Sequence, residues 1–301
     1  MNKPIFIISD LHIGSGGPRD SFSQYNRCAY FENFLNYVEK EDGELIILGD
    51  FIDLWRFAFK KVIKARRDLL DRLAEMKVCC VPGNHDQALN RFINSQDVPH
   101  PFFKKIKEPF VRIIGDKKFS FLHGHELDPM NRNLTHRVGR ILGLSSSLVE
   151  YAKGYPVFSS DVIEETLLSI EEKLFLFWLN SVRQLANFTG LSGLPTLHNA
   201  QVLPRQKRIE KLLLKYELKK QIDGNDITES AHTHRACRFQ EWYFNSGSWT
   251  DQTNNFIQIL PDGKVNIFDW EKDTPRYNNT ILYSSPFTPT FKTGCIIVNC
   301  T

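Results

Sequence analysis

Ile5-Phe6-Ile7-Ile8-Ser9-Asp10-Leu11-His12 decides the fold: four apolar residues in succession stop at a polar cluster carrying a carboxylate and an imidazole two positions apart. The same form recurs downstream, where Leu45 to Leu48 ends at Gly49-Asp50 and Val78 to Val81 ends at Pro82-Gly83-Asn84. Short apolar runs bounded by turn residues read as buried strands, and the amphipathic stretches Phe31 to Val38 and Val62 to Met76 read as the helices between them. Strand and helix in alternation make an α/β protein. That rhythm also puts the polar clusters at the carboxyl ends of strands, where open α/β sheets build their sites.

Outward from this region the pattern changes. Between about Pro129 and Thr228 the strand-like runs stop and helical periodicity takes over. A long helix is expected over Asp161 to Phe188, with Glu164, Glu165, Glu171 and Glu172 on its polar side and a dense apolar block from Leu174 to Leu179. A second, Arg205 to Lys220, sets Ile209, Leu212, Leu213 and Tyr216 on one face and Arg208, Lys211, Lys215 and Lys219 on another. The apolar block reads either as the insertion's own core or as a groove for acyl chains, and the basic face either as solvated surface or as an anionic-lipid contact. Strand patterning returns at Trp242 to Phe244, Phe256 to Leu260 and Val265 to Phe268, the last two joined by the hairpin-type turn Pro261-Asp262-Gly263. The expected organisation is a catalytic domain over 1–128 and 229–271, a helical insertion over 129–228, and a tail over 272–301, rich in Asn, Thr, Ser and Pro, with no assigned structure.

The bulk properties fit that picture. At 301 residues the chain is long for one average domain and short for two large ones. Its 42% hydrophobic and 24% charged residues are ordinary for a folded chain, and a net charge of +3 from 38 basic and 35 acidic residues gives no ground to expect nucleic acid. Cysteines at 28, 79, 80, 237, 295 and 300 form no C-x-x-C pair and read as reduced thiols in a cytosolic protein. The run Ile5 to Ile8 is too short for a signal-peptide core, and nothing reaches the roughly 18 apolar residues of a spanning helix.

Five clusters carry the chemistry: Asp10-Leu11-His12, Gly49-Asp50-Phe51-Ile52-Asp53, Gly83-Asn84-His85-Asp86, His123-Gly124-His125 and His232-Thr233-His234, which hold six of the nine histidines. In an extended strand, residues two apart project to the same side, so D-x-H and H-x-H can each offer two ligands at one point. Mixed carboxylate, imidazole and amide donors suit hard-to-borderline divalent ions such as Mn, Fe or Zn rather than a thiolate zinc site. Two such ions about 3.5–4 Å apart clamp the attacking and leaving oxygens of a phosphoryl transfer.

The ordered set D-x-H, G-D-x-x-D, G-N-H-D, H-G-H and H-x-H resembles the calcineurin-like metallophosphoesterases. The resemblance implies a two-sheet α/β/β/α sandwich, here interrupted by an α-helical cap, and two divalent transition-metal ions, Mn first among the candidates. It places Asp10, His12 and His234 on the first ion, Asp50 between the two, and Asn84, His123 and His232 on the second. His85 matches the histidine that contacts the phosphate and protonates the leaving group, and Asp53 the carboxylate that orients it. His125 falls outside this set, as a residue that supports a ligand or touches substrate. Within the family, Asp-Leu-His-Ile, Gly-Asp-Phe-Ile-Asp-Leu-Trp, His-Gly-His and Asn245-Ser246-Gly247-Ser248-Trp249 look like the UDP-2,3-diacylglucosamine hydrolases of lipid A synthesis. Two departures stand out: Ala231 replaces the usual glycine of the last motif, and His85 stands where the commonest branch of those hydrolases has arginine. The expected function is hydrolysis of a phosphoester or nucleotide diphosphate, acylated in the leading reading, in the cytoplasm or peripherally at the inner membrane surface. The alternatives are a nucleotide phosphodiesterase, a phosphomonoesterase, or a non-catalytic protein-binding scaffold of the same fold.

Overall fold

The structure, a computed structural model, describes residues 3–17, 20–127, 205–250 and 254–279, and in the helix that opens at Arg205 the side chains only of Leu213 and of residues from Lys215 on. The expected helix Asp161 to Phe188 with its Leu174 to Leu179 block lies outside the described residues, as do the side chains of Arg208 and Lys211 and the tail beyond 279.

Strand β1 (Ile5–Ile8) is buried on both faces. It pairs in parallel with β2 (Glu44–Leu48), which pairs in parallel with β3 (Cys79–Val81). On its other side β1 runs antiparallel to β9 (Asn255–Ile259), followed by β10 (Val265–Glu271) and β11 (Thr274–Tyr277), giving the order β11-β10-β9-β1-β2-β3. The second sheet has the order β4-β5-β6-β8-β7, from β4 (Phe110–Ile114), β5 (Lys117–Phe121), β6 (Ile227–Ser230), β7 (Ala236–Phe239) and β8 (Tyr243–Ser246). In it β5, β6 and β8 run parallel.

Alternation of side chains along β1 splits the core in two. Ile5 and Ile7, with Ile46, Leu48 and Val81, face Phe119, Phe121, Ile227 and Phe244 of the second sheet. Phe6 and Ile8 point the other way and are covered by Phe31, Phe34, Leu35 and Val38 of α1 (Arg27–Lys40) and by Leu70 and Leu73 of α3 (Arg67–Glu75). The far face of the second sheet offers Leu122, Cys237, Trp242 and Tyr243 to Leu213 and Tyr216 of α4 (Arg205–Asp223). The molecule is thus the α/β/β/α sandwich that the motif order implies. Among the described residues Cys28, Cys79, Cys80 and Cys237 are free thiols.

Several elements differ from the sequence reading. The single helix expected over Val62 to Met76 is two, α2 (Phe59–Ala65) and α3, which meet at Arg66. The break delivers the Arg66 guanidinium to the loop after β1, where Nε donates to Gly14 O at 3.0 Å and Nη2 pairs with the buried Asp20 at 2.6 Å. The residues after Glu271, to which the sequence reading assigns no structure, begin with β11, which pairs Thr274 to Tyr277 with Phe268 to Glu271. Strand β6 begins at Ile227, inside the stretch expected to be helical up to 228. Strands β4, β5, β6 and β7 had no sequence counterpart.

Candidate metal centre

Because β1, β2 and β3 are parallel, their carboxyl ends share one rim, and Asp10, Asp50 and Asn84 leave the first sheet there. The parallel strands β5 and β6 carry His123, His232 and His234 just past their own carboxyl ends. Backbone bonds prolong the ladder beyond the strands: Asp10 N donates to Gly49 O at 3.1 Å, and His12 N to Asp50 O at 2.9 Å. Asp10, His12, Asp50, His232 and His234 all have left-handed backbone, with φ of 52°, 48°, 49°, 69° and 56°. The ligand candidates therefore converge through tight turns after the strands, and the same-side projection of an extended strand is not what joins Asp10 to His12. Non-glycine residues avoid this conformation unless the surroundings impose it, and such residues gather at functional sites.

Three overlapping groups of donor atoms result, each within 4.8 Å: Asp10, His12 and His234; Asp10, Asp50 and His123; His12, Asp50 and His85. His234 Nε2 lies 3.1 Å from Asp10 Oδ1, and His123 Nε2 lies 3.4 Å from Asp50 Oδ2 and 3.2 Å from Asn84 Oδ1. His123 Nδ1 faces Leu48 O at 2.7 Å, which leaves Nε2 for the site. His232 joins through its backbone N–H, 3.3 Å from Asp10 Oδ2, with its ring 5.2 Å from that of His123. His125 stays outside these groups, its Nδ1 3.6 Å from Glu126 Oε2. Two glycines make room: a Cβ on Gly83 would sit 2.2 Å from Asp50 Oδ1, and one on Gly49 would sit 2.3 Å from His123 Nδ1.

The donors fit divalent cations. Among the described residues neither buried ring nitrogen of His12 has a hydrogen-bond partner, a costly state that a cation at Nε2 would relieve for that atom. Burial pushes the His12 imidazole down, with His85 adding to it, to about 3, so His12 stands neutral, as a ligand must. Burial works to raise the Asp10 carboxyl, but His234 outweighs it and holds the group at about 2. Burial likewise opposes ionisation of Asp50, yet His123 and His85 keep it well below the usual range. His123 is pushed down by burial and up by Asp50, which wins and lifts it to about 10, so a cation binding at Nε2 would displace a proton there.

His85, which shares the third group with His12 and Asp50, also has its Nδ1 3.2 Å from Asp53 Oδ1, and Asp53 Oδ2 pairs with Arg56 Nε at 3.0 Å. Burial raises Asp53, and the hydrogen bond and charge of His85 bring it down to about 2. Four residues named in the sequence motifs turn out to have supporting roles that the sequence reading did not assign. Asp86 accepts from Phe51 N, Ile52 N and Gly83 N at 2.8, 3.2 and 2.6 Å and ties two site loops together. Asn245 donates to Ala231 O at 2.6 Å just before His232, Ser9 Oγ donates to Asp10 Oδ2 at 2.6 Å, and Trp55 stacks on His85. Their motifs were visible, but which backbone groups they satisfy depends on the pairing of distant loops.

Residues 3–268 match the model of the calcineurin-like phosphoesterases. A UDP-2,3-diacylglucosamine hydrolase from Ralstonia nicotianae is 32% identical over 96 residues, which are 30% of this chain and 33% of that protein. The match thus spans about a third of that relative's length. A solved structure of vacuolar protein sorting 29 from Cryptosporidium parvum is similar at 12% identity and a TM-score of 0.40, over 92% of this chain and 95% of that one.

Proposed function

The chain belongs to the calcineurin-like phosphoesterase family, and on that premise we propose that this metal-dependent phosphoester hydrolase acts on a lipid-linked nucleotide diphosphate such as UDP-2,3-diacylglucosamine. The observation that carries the hydrolytic reading is the convergence of Asp10, His12, Asp50, His123 and His234 on one rim, with His12 buried and its ring nitrogens unpartnered among the described residues. Asp10, His12 and His234 would hold one ion and Asn84, His123 and His232 the other, with Asp50 between them, and Mn suits this donor set. When bound, such ions supply Lewis-acid charge and lower the pKa of water to near neutrality. His85 holds the proton for the leaving oxygen. Asp53 orients His85 and is itself kept ionised first by that hydrogen bond and the charge of His85, with Arg56 adding to it.

Support for the lipid-linked substrate is the 96-residue similarity to the Ralstonia hydrolase. In this reading the insertion expected from the sequence over 129–228, of which β6 takes the end from Ile227, receives the acyl chains. The reaction takes place in the cytoplasm or at the inner membrane surface. Among the described residues no helix is long and apolar enough to cross a membrane. A second reading, a nucleotide phosphodiesterase or phosphomonoesterase, is favoured by His85, since an alkoxide leaving group needs a proton more than a phosphate does.

Turnover of UDP-2,3-diacylglucosamine, its deacylated form, bis-p-nitrophenyl phosphate, p-nitrophenyl phosphate and cyclic nucleotides, each with added Mn, separates these readings. A buried chain contributes about 0.8 kcal/mol per CH₂, so acylated substrate should have much the larger kcat/KM. Equal kcat/KM for the acylated and deacylated forms would remove the lipid assignment and leave the second reading.

A further inference from the structure

Asp53 shapes the turn after β2 as well as facing His85. Its Oδ1 accepts from Trp55 N and Arg56 N, both at 3.2 Å, and the resulting bend throws the Trp55 indole over the site. The indole lies face to face with the His85 ring, at 3.7 Å between centroids and 20° between planes. Its Nε1–H donates to Asn84 O at 3.0 Å, so the peptide that leads into His85 is held by the same side chain. Another contact on the imidazole is the edge-on ring of His12, 4.4 Å away and at 87°. Trp55 is only 9% exposed, which marks the stack as packed.

One hydrogen bond at Nδ1 fixes a point on an imidazole, not its plane, and the terminal torsion of histidine is broad. A face contact removes that freedom. We infer that Trp55 is a positioning residue, which fixes the ring plane of His85 so that its free nitrogen meets the leaving oxygen. The inference rests on the reading of His85 as proton donor: as an oxygen of water bonds to phosphorus and gives up its proton to solvent, the P–O bond to the leaving group breaks, the electron pair stays on that oxygen, and the proton from His85 makes it a neutral hydroxyl. A phenolate, with a pKa of about 10, needs that proton far more than p-nitrophenolate does.

The test is a mutant cycle on the full-length, Mn-loaded protein, with methyl phenyl phosphate and methyl p-nitrophenyl phosphate as substrates. Trp55→Leu should lower kcat on the phenyl ester by about 10- to 100-fold, the scale of a small misplacement, with KM nearly unchanged and both ions retained. The loss should be smaller on the p-nitrophenyl ester, and Trp55→Phe, which keeps a ring face, should recover most of it. In a His85→Ala background, itself slower by about 10²- to 10⁴-fold on the phenyl ester, Trp55→Leu should cost almost nothing more. Equal losses in both backgrounds, or equal losses on both esters, overturn the inference and reduce the indole to packing. If Trp55→Leu does not fold, Trp55→Met makes the same comparison without a ring face. A His85→Ala protein that loses nothing removes the proton-donor reading itself. A slow His85→Ala beside a fully active Trp55→Leu removes only the inference about Trp55.

Discussion

Each of the five left-handed residues at the centre costs about 1–3 kcal/mol of local strain, so the loops after β1, β2 and β6 hold their shape only because the surroundings over-determine it. Asp86, Asn245 and Ser9 supply that constraint through the hydrogen bonds they make to loop atoms. The same crowding makes Gly83 intolerant of a side chain. Gly83→Ala would place Cβ 2.2 Å from Asp50 Oδ1 and 2.8 Å from His123 Nε2. The variant should keep its circular dichroism yet bind fewer ions, and kcat should fall by about 100-fold or more. Full metal content with normal turnover would mean that Asp50 is not held against that glycine. The residue types of this site were legible in the sequence, since D-x-H, G-N-H-D and H-x-H each announce a donor set. Their geometry was not, because strand-like projection predicts convergence by a route that the positive φ of Asp10 and His12 replaces.

At the scale of elements, the two sheets differ in how plainly they speak. Strands β1, β2 and β3 lie inside the first sheet or along its packed edge, and their unbroken apolar runs give them away. The second sheet hides its strands: β4 exposes Val111, Arg112 and Ile113 in succession, and β6 reads Ile-Thr-Glu-Ser although all four residues are buried. Glu229 is the sharpest case. It sits between Phe121 of β5 and Phe244 of β8, fully buried, and among the described residues neither carboxylate oxygen has a hydrogen-bond partner. Burial holds its carboxyl well above the ordinary 4.5. A raised folded-state pKa gives stability that is complete below the unfolded value and drains away as pH rises toward the folded one, at about 1.4 kcal/mol per unit. Glu229→Gln removes that slope, so urea denaturation across neutral pH should find the variant gaining on the wild type as pH rises. A difference that does not change with pH would mean that Glu229 is charged and compensated in the folded protein.

The whole molecule is joined at the rim. Asp10, His12, Asp50 and Asn84 follow strands of one sheet and His123, His232 and His234 follow strands of the other, so bound ions would tie the sheets together. Fully Mn-loaded protein should hold two ions per chain by elemental analysis. At ligand a thousandfold above Kd, binding adds about 4 kcal/mol, so exhaustive chelation should lower Tm by about 10 °C. An unchanged Tm beside one ion or fewer would defeat the dinuclear reading.

The connection from β5 to β6 crosses between hydrogen-bonded neighbours that point the same way, as those from β1 to β2 and from β2 to β3 do. Parallel neighbours need a crossover of about a dozen residues, commonly a helix, and α4 packed on Tyr243 and Leu122 already provides one. Residues 128–204 are therefore surplus to the topology of the sandwich. Doubling the length of such a connection costs only about 0.6 kcal/mol of closure entropy, so the sandwich tolerates a long insertion between these two strands.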